Sequence, residues 1–346
     1  MELVFDGIVY SLQRYGGISN YFTSLLNNLK HTDEFNFKLM LYGNPQLTSL
    51  VTTKKIQNKY RLFERYKKVT DIPDNAILHS SYYRISKSKK VTNVITLYDF
   101  TYEKYTNGMK SVVHKRQKKI ALKKADVILC ISENTKRDLL YYYPTVNSDN
   151  VFVTYLSAGD EFRSMNVPFE NRMNSPFVLF VGSRAGYKNF KTVVEAISIV
   201  HNVSLSIIGG GKLTDKERAH LDSKLPKRYN VHSAIDGEGL NKLYNKALCL
   251  VYPSLYEGFG IPILEAMRAG CPVICNNVSS IPEVAGNSAI ILQECNFETI
   301  SHSIKSLFEE KVFTIYQNKG FENSLRFSWD KTAKQTLDIY KSFMKK

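Results

Sequence analysis

Two glutamates in the run Glu257-Gly258-Phe259-Gly260-Ile261-Pro262-Ile263-Leu264-Glu265 have the chemistry to hold a diol-rich ligand, because one carboxylate accepts two hydroxyls at once. They flank a glycine-flexible turn that opens a helix. Gly258 and Gly260 allow backbone geometry and ligand approach that a Cβ would obstruct. Pro262 has the fixed φ and missing donor suited to a helix's first position. The next amides then lie unpaired at a positive helix end, which takes phosphate or hydroxyl oxygens readily. Glu265 is expected in the first turn, leaning back toward that end, so that one glutamate faces a sugar ring and the other a ribose. Taken singly, each has a plainer reading: Glu265 as a complement to the helix dipole, Glu257 as a solvated loop residue.

Cations suited to a diphosphate occur upstream. Arg184 and Lys188, in FVGSRAGYKNF, follow an apolar strand at the end where ligand loops are expected. An Arg offers phosphate a bidentate fork and a Lys a point charge. Gly209-Gly210-Gly211-Lys212 also follows a strand, but Leu213 stands where a Walker loop needs Ser or Thr, which excludes that class of ATPase. Gly16-Gly17 precedes an apolar-periodic helix, where it permits close backbone approach to a ligand or merely makes a turn. No Asp-x-Asp occurs, so there is no obvious carboxylate clamp for a divalent ion. The five cysteines form no CxxC pair, and Cys271 with Cys275 lacks completing ligands; reduced core thiols are expected, with no metal.

VYPSLYEGFGIPILEAMRAGCPVI, together with FVGSRAGYKNF, resembles the retaining family 4 glycosyltransferases of GT-B fold. The resemblance covers nearly the whole chain and is strongest over 177–285. It implies an α/β architecture of two facing Rossmann-like doubly wound domains, with a final helix, 330–346, crossing back to the first. It also implies a nucleoside diphosphate sugar as donor, with no cofactor and no metal. Glu257 would orient the sugar, while Arg184 and Lys188 neutralise the departing diphosphate. Gly258, Phe259, Gly260, Ile261 and Glu265 would line the donor, Gly16 and Gly17 would lie beside diphosphate and acceptor, and the 209–212 loop would border the base. Where the family usually has His-Asp this chain has Tyr98-Asp99, placed against the donor sugar by the same likeness; the alternative is that Tyr98 only packs. Ser132, before Glu133, reads as an N-cap.

The elements that must position these residues are βα units. Strands are expected at 3–5, 37–42, 77–79, 94–98, 127–131 and 151–155, then at 177–181, 204–208, 231–233, 248–252, 273–275 and 289–292. Helices are expected at 18–29, 110–125, 134–142, 191–200, 239–246 and 298–308, with a polar linker over 157–176. The domains are drawn as 1–165, 166–328 and a crossover helix 329–346, with ligands at the carboxyl ends of the strands and in the cleft between the sheets.

The 346 residues carry a net charge of +15, concentrated early: residues 1–165 have 25 Lys/Arg against 15 Asp/Glu. An anionic partner is implied. Lys54–Lys68 and especially Lys110–Lys124 gather this charge. The second segment interleaves seven cations, Lys118 among them, with Val112, Val113, Ile120 and Leu122, and reads as a basic, partly amphipathic helix on an anionic membrane or a lipid-linked pyrophosphate, or as a solvated face. No apolar run approaches the roughly 20 residues that span a bilayer, and no signal peptide is evident, so a cytoplasmic, membrane-peripheral enzyme is expected. The expected reaction moves a hexose to a lipid-linked oligosaccharide in surface-polysaccharide assembly (O-antigen or capsule). A sugar-nucleotide epimerase of the same architecture and a nucleic-acid binder driven by charge are the alternatives; the paired glutamates argue against the first.

Overall fold

The computed structural model describes residues 2–12, 16–29, 35–43, 54–233 and 235–344. The chain divides into two compact units, Met1–Leu156 with Ser328–Lys346, and Ser157–Phe327. Each is built on one parallel sheet.

The first sheet contains β1 (Glu2–Asp6), β2 (Asn36–Tyr42), β3 (Lys54–Asn58), β4 (Ile77–Ser80), β5 (Thr92–Leu97), β6 (Val127–Cys130) and β7 (Val151–Val153), in the order β3-β2-β1-β4-β5-β6-β7. Parallel strands are covered on both faces and therefore read as continuous apolar runs; every residue of β4, β5 and β6 is buried. In register, Leu3 lies between Phe37 and Ile77, which places the ends of β1 and β4 side by side where the strand order reverses. Val4, Ile8, Met40, Leu78 and Val91 form a core on one side.

The first five residues of Lys54–Lys68 form β3, a strand the sequence reading did not expect, pairing with β2 from Lys38↔Lys54 onward, while Lys54 and Lys55 stay exposed. KKIQN has one apolar residue and sits at the sheet edge, where lysines commonly discourage further pairing. The basic helix spans Met109–Leu122, and it too needs correction. Lys118 is fully buried, its ammonium 2.9 Å from Glu103 and 3.0 Å from the Asp99 carbonyl oxygen. It belongs to the core, while Met109, Val112, Val113 and Ile120 are exposed.

The helix Trp329–Ser342 returns to the first unit, as the resemblance implied. Ser328 caps it, accepting from the Lys331 amide. Trp329 packs near Tyr21 of the Gly17–Leu29 helix, Thr332 donates to the Tyr155 carbonyl, and the Tyr340 hydroxyl meets His79 Nδ1. Burial pushes His79 down to about 3, so its neutral ring is held between Tyr340 and Thr96 Oγ1.

The second sheet contains β8 (Phe177–Val181), β9 (Ser204–Ile208), β10 (Tyr229–His232), β11 (Cys249–Tyr252), β12 (Val273–Asn276) and β13 (Ile290–Leu292), in the order β10-β9-β8-β11-β12-β13. Its order reverses between β8 and β11, so the loops after these two strands diverge over a crevice of the kind in which doubly wound sheets bind ligands. Val178, Phe180, Val193, Leu205, Val251 and Ile304 belong to one buried cluster that fixes the sheet and its helices. Within this unit the Arg163 and Met165 amides donate to Asn241 and Asn245.

Candidate functional site

The loop after β8 turns through Gly182 (φ +135°) into a short 3-10 helix, Gly186–Lys188, and then through Asn189 (φ +54°) into the helix Phe190–Ser198. That turn carries Lys188 back over the crevice. Its ammonium lies 2.6 Å from Glu257 Oε1, in the loop after β11, and about equally far from the Tyr187 and Tyr252 rings, 5.4 and 5.6 Å. The backbone around Glu257 is fixed from the side: its amide donates to Ser279 Oγ, and the Ser280 hydroxyl donates to the carbonyls of Glu257 and Phe259. Ser279 and Ser280 escaped sequence reasoning; their signal was a serine pair placed after β12 and before a helix with Pro282 near its start.

Arg184 is directed elsewhere. Gly209, Gly210 and Gly211 hold successive positive φ values of +88°, +73° and +72°. The left-handed turn converges the carbonyls of residues 209–212 on one guanidinium, 2.8 to 3.3 Å away. A Cβ at Gly210 would stand 2.6 Å from Arg184 Nη1. Glu217 accepts from Arg184 Nε at 2.7 Å and also caps its own helix at Thr214. These contacts, Arg184 foremost, pull its carboxyl down to about 2. Thus the two cations of one loop have separate tasks: Lys188 meets Glu257, and Arg184 clamps the glycine loop.

Glu265 lies beyond the first turn of the helix Ile261–Arg268, correcting the expected position, because Gly260 (φ +114°) is the N-cap and Pro262 the second helical residue. Burial pushes its carboxyl up to about 7, opposed by the Tyr244 hydroxyl 3.1 Å away. Gly260 needs its glycine for that φ. Gly258 is not among the positive-φ residues. Phe259 is buried against Phe327, with ring centroids 5.8 Å apart, so it offers the site its backbone. Ile261 is half-buried at the helix start.

In the first unit, Gly17 begins a helix in open space, where a Cβ would meet nothing within 4 Å, and the Gly16 carbonyl accepts from Asn20 and Ser19. Tyr98 and Asp99 follow β5. The Tyr98 ring stands edge-on to Tyr21 at 5.8 Å, and its hydroxyl is buried without a well-formed hydrogen bond. Asp99 Oδ1 accepts from the Thr101 amide, capping the next turn. Ser132 accepts from the Thr135 amide as the expected N-cap. Among the described residues, no group of three or more His, Cys, Asp or Glu is arranged to hold a metal ion, and no helix is long and apolar enough to cross a membrane.

Residues 163–334 match the family model described as glycosyl transferases group 1. Over that stretch, just under half of the chain, the sequence is similar to that family. It is 28% identical over 238 residues to O-antigen chain mannosyltransferase B of Escherichia coli, an alignment covering 64% of this chain and 62% of the relative. The chain thus spans less than two thirds of that relative's length. In fold it is similar to sucrose-phosphate synthase from Thermosynechococcus elongatus (TM-score 0.74, 16% identity, 99% and 98% of the two chains). It is likewise similar to WaaG, a glycosyltransferase involved in lipopolysaccharide biosynthesis (TM-score 0.71, 14% identity, 97% and 99%). The chain is therefore GT-B in fold, with both doubly wound units and the returning helix that the fold requires.

Proposed function

We propose that this chain is a retaining hexosyltransferase. It moves a hexose from a nucleoside diphosphate sugar (GDP-mannose, a 6-deoxy relative or a UDP-sugar) to a lipid-linked oligosaccharide in O-antigen or capsule assembly. The observation that carries the reading is the Lys188–Glu257 pair at the reversal point of the second sheet. A donor diphosphate competes with Glu257 for the Lys188 ammonium, and the released carboxylate is then free to accept the sugar's hydroxyls. Lys188 stabilises charge growing on the diphosphate, a role typically worth roughly 3 to 4 kcal/mol per donor; the helix-start amides are not the donors expected, since Pro262 has none and the Ile263 amide donates to the Gly260 carbonyl. Glu265, half neutral near pH 7, receives the ribose hydroxyls. Arg184 acts on the donor by holding the 209–212 loop, which borders the base. Gly258, Phe259, Gly260 and Ile261 approach the donor through backbone or helix start, and Gly16, Gly17, Tyr98 and Asp99 are the substrate contacts of the first unit.

In the transfer step the bond from the anomeric carbon to the acceptor oxygen forms as its bond to the diphosphate oxygen breaks, on the same face. The departing diphosphate takes the acceptor's proton, so no metal is needed. Exposed Met109, Val112, Val113 and Ile120 beside the helix lysines support residence at the inner face of the cytoplasmic membrane. The deciding experiment is turnover with a panel of GDP- and UDP-sugars, with and without EDTA. Transfer from one donor, undiminished by chelation, is expected; release of an epimerised sugar nucleotide without acceptor, or activity restored only by a divalent ion, would overturn the reading.

A further inference from the structure

The first unit has a second concave feature, a cavity of about 330 Å³ rimmed by Lys68, Lys87, Lys89 and Lys124. It lies at the other end of the sheet from the proposed substrate contacts. Asn93, in its wall, is the second residue of β5 and Asp126 immediately precedes β6, whereas Tyr98 and Asp99 follow the last residue of β5. At about 3.3 Å per residue, the strand separates the two by roughly 15 to 20 Å. A ligand here is outside the reach of a sugar held at the strand ends.

The groove has a built frame. In Ser86-Lys87-Ser88-Lys89-Lys90 the serines are spent on the backbone, Ser86 Oγ accepting from the Ser88 amide and Ser88 Oγ from the Lys90 amide. The Ser86 amide donates to the buried Asn93 side chain at 2.6 Å, and the Lys87 amide to the Val69 carbonyl at 3.0 Å. Lys90 is tied to Asp74, 2.7 Å away. Lys87 and Lys89 are what this loop leaves exposed at the rim. Lys124, just past the Met109–Leu122 helix, and Lys68, beside the Val69↔Ser86 bridge, complete it. Asp126 is the one carboxylate among the lining residues, and it accepts from the Asn93 amide. The ammonium groups of Lys68, Lys87 and Lys124 make the groove a positive field that favours an anion, and a frame ordered beforehand spares the ligand the entropy of building it. Ammonium groups with rotatable donors suit phosphate oxygens in any orientation.

We propose that this groove binds a phosphate-bearing ligand, a phosphomonoester or diphosphate presented by a lipid headgroup or free in solution, at a site separate from the sugar-nucleotide site. The test compares the full chain with a Lys68→Gln/Lys87→Gln/Lys124→Gln variant and with Lys246→Gln/Lys305→Gln/Lys311→Gln, which removes the same charge from the second unit. Binding is measured to inorganic pyrophosphate by calorimetry, and to phosphatidylcholine vesicles with and without phosphatidylglycerol by sedimentation. The groove variant is expected to lose about tenfold or more in affinity for one probe while the control retains it. Loss for pyrophosphate identifies free phosphate as the source; loss for phosphatidylglycerol vesicles alone identifies the headgroup. Equal losses in both variants reduce the effect to net charge and overturn the site, as does unchanged binding in the groove variant or no binding of either probe by the parent chain. Lys87→Gln alone, measured alongside with the melting temperature of each variant, guards against a folding defect. Sugar transfer plays no part in the readout, so its absence leaves the result interpretable.

Discussion

Both units place a cation among carboxylates near the carboxyl ends of their strands, but they bury it to different depths. In the second unit, the Lys188 and Glu257 side chains are 14% and 12% exposed. In the first, Arg84 bridges Asp6 at 2.9 Å and Glu64 at 2.7 Å, and the three side chains are 1%, 0% and 0% exposed. The first pair keeps contact with solvent, as the proposed exchange with a donor diphosphate requires. The second is sealed, with Asp6 pushed up by burial while Arg61 holds Glu64 down. Depth of burial, more than residue type, separates the exchangeable ion pair from the structural one.

The largest expected effect tests the sealed side. Arg84→Ala strands the buried Asp6 carboxylate and leaves Glu64 to Arg61 alone, and should destabilise the chain by about 3 to 5 kcal/mol, seen as an earlier urea midpoint; an unshifted midpoint would mean that water reaches the triad. On the exchangeable side, Glu257→Ala should slow transfer about a hundred- to a thousandfold at an unchanged melting temperature. Lys188→Ala should behave alike with about a hundredfold loss, whereas Arg184→Ala, which frees the glycine loop, should also lower the melting temperature. Wild-type turnover in Glu257→Ala would remove the centre of the functional reading.

A third effect depends on pH. Glu265 is pushed up to about 7 from an ordinary 4.5, so between these values the folded chain keeps a proton that the unfolded chain has lost. Stability contributed there falls as pH rises. Glu265→Gln should match wild type below that window and exceed it by up to about 3 kcal/mol above it, measured by denaturant titration at pH 4 and pH 8. Parallel curves for the two proteins would show that the carboxyl ionises freely. The smallest effect is at Tyr98. If its ring takes the place of a hydroxyl-selecting imidazole, kcat/KM should favour a 6-deoxy donor over GDP-mannose by a factor corresponding to about 1 kcal/mol, and Tyr98→His should reverse the preference. An unchanged ratio returns Tyr98 to a packing role.

The second unit was the more legible because its chemistry lies in short runs read in order: a strand, a glycine turn, a charge. Lys188 and Glu257 are 69 positions apart, yet each announced itself locally. What Arg184 binds was hidden, since main-chain carbonyls leave no mark in the side-chain alphabet and converge only through three left-handed glycines. β3 was missed because an edge strand has one covered face at most, so KKIQN shows a charge run where an interior strand shows valines. Lys118 misled for the opposite reason. Among six basic neighbours nothing marks it, and Glu103, 15 positions earlier, with the Asp99 carbonyl, allows its burial.

The helix Trp329–Ser342 has a consequence for biosynthesis. The whole second unit intervenes between β7 and this helix, although the helix belongs with the first sheet. On the ribosome, His79 and the Tyr155 carbonyl emerge long before Tyr340 and Thr332. At 5–20 residues per second, the nascent first unit waits roughly 10 to 40 seconds with that face uncovered. Its maturation is therefore timed by translation of its neighbour, and a chaperone that shields the face over that interval would raise the yield of folded chain.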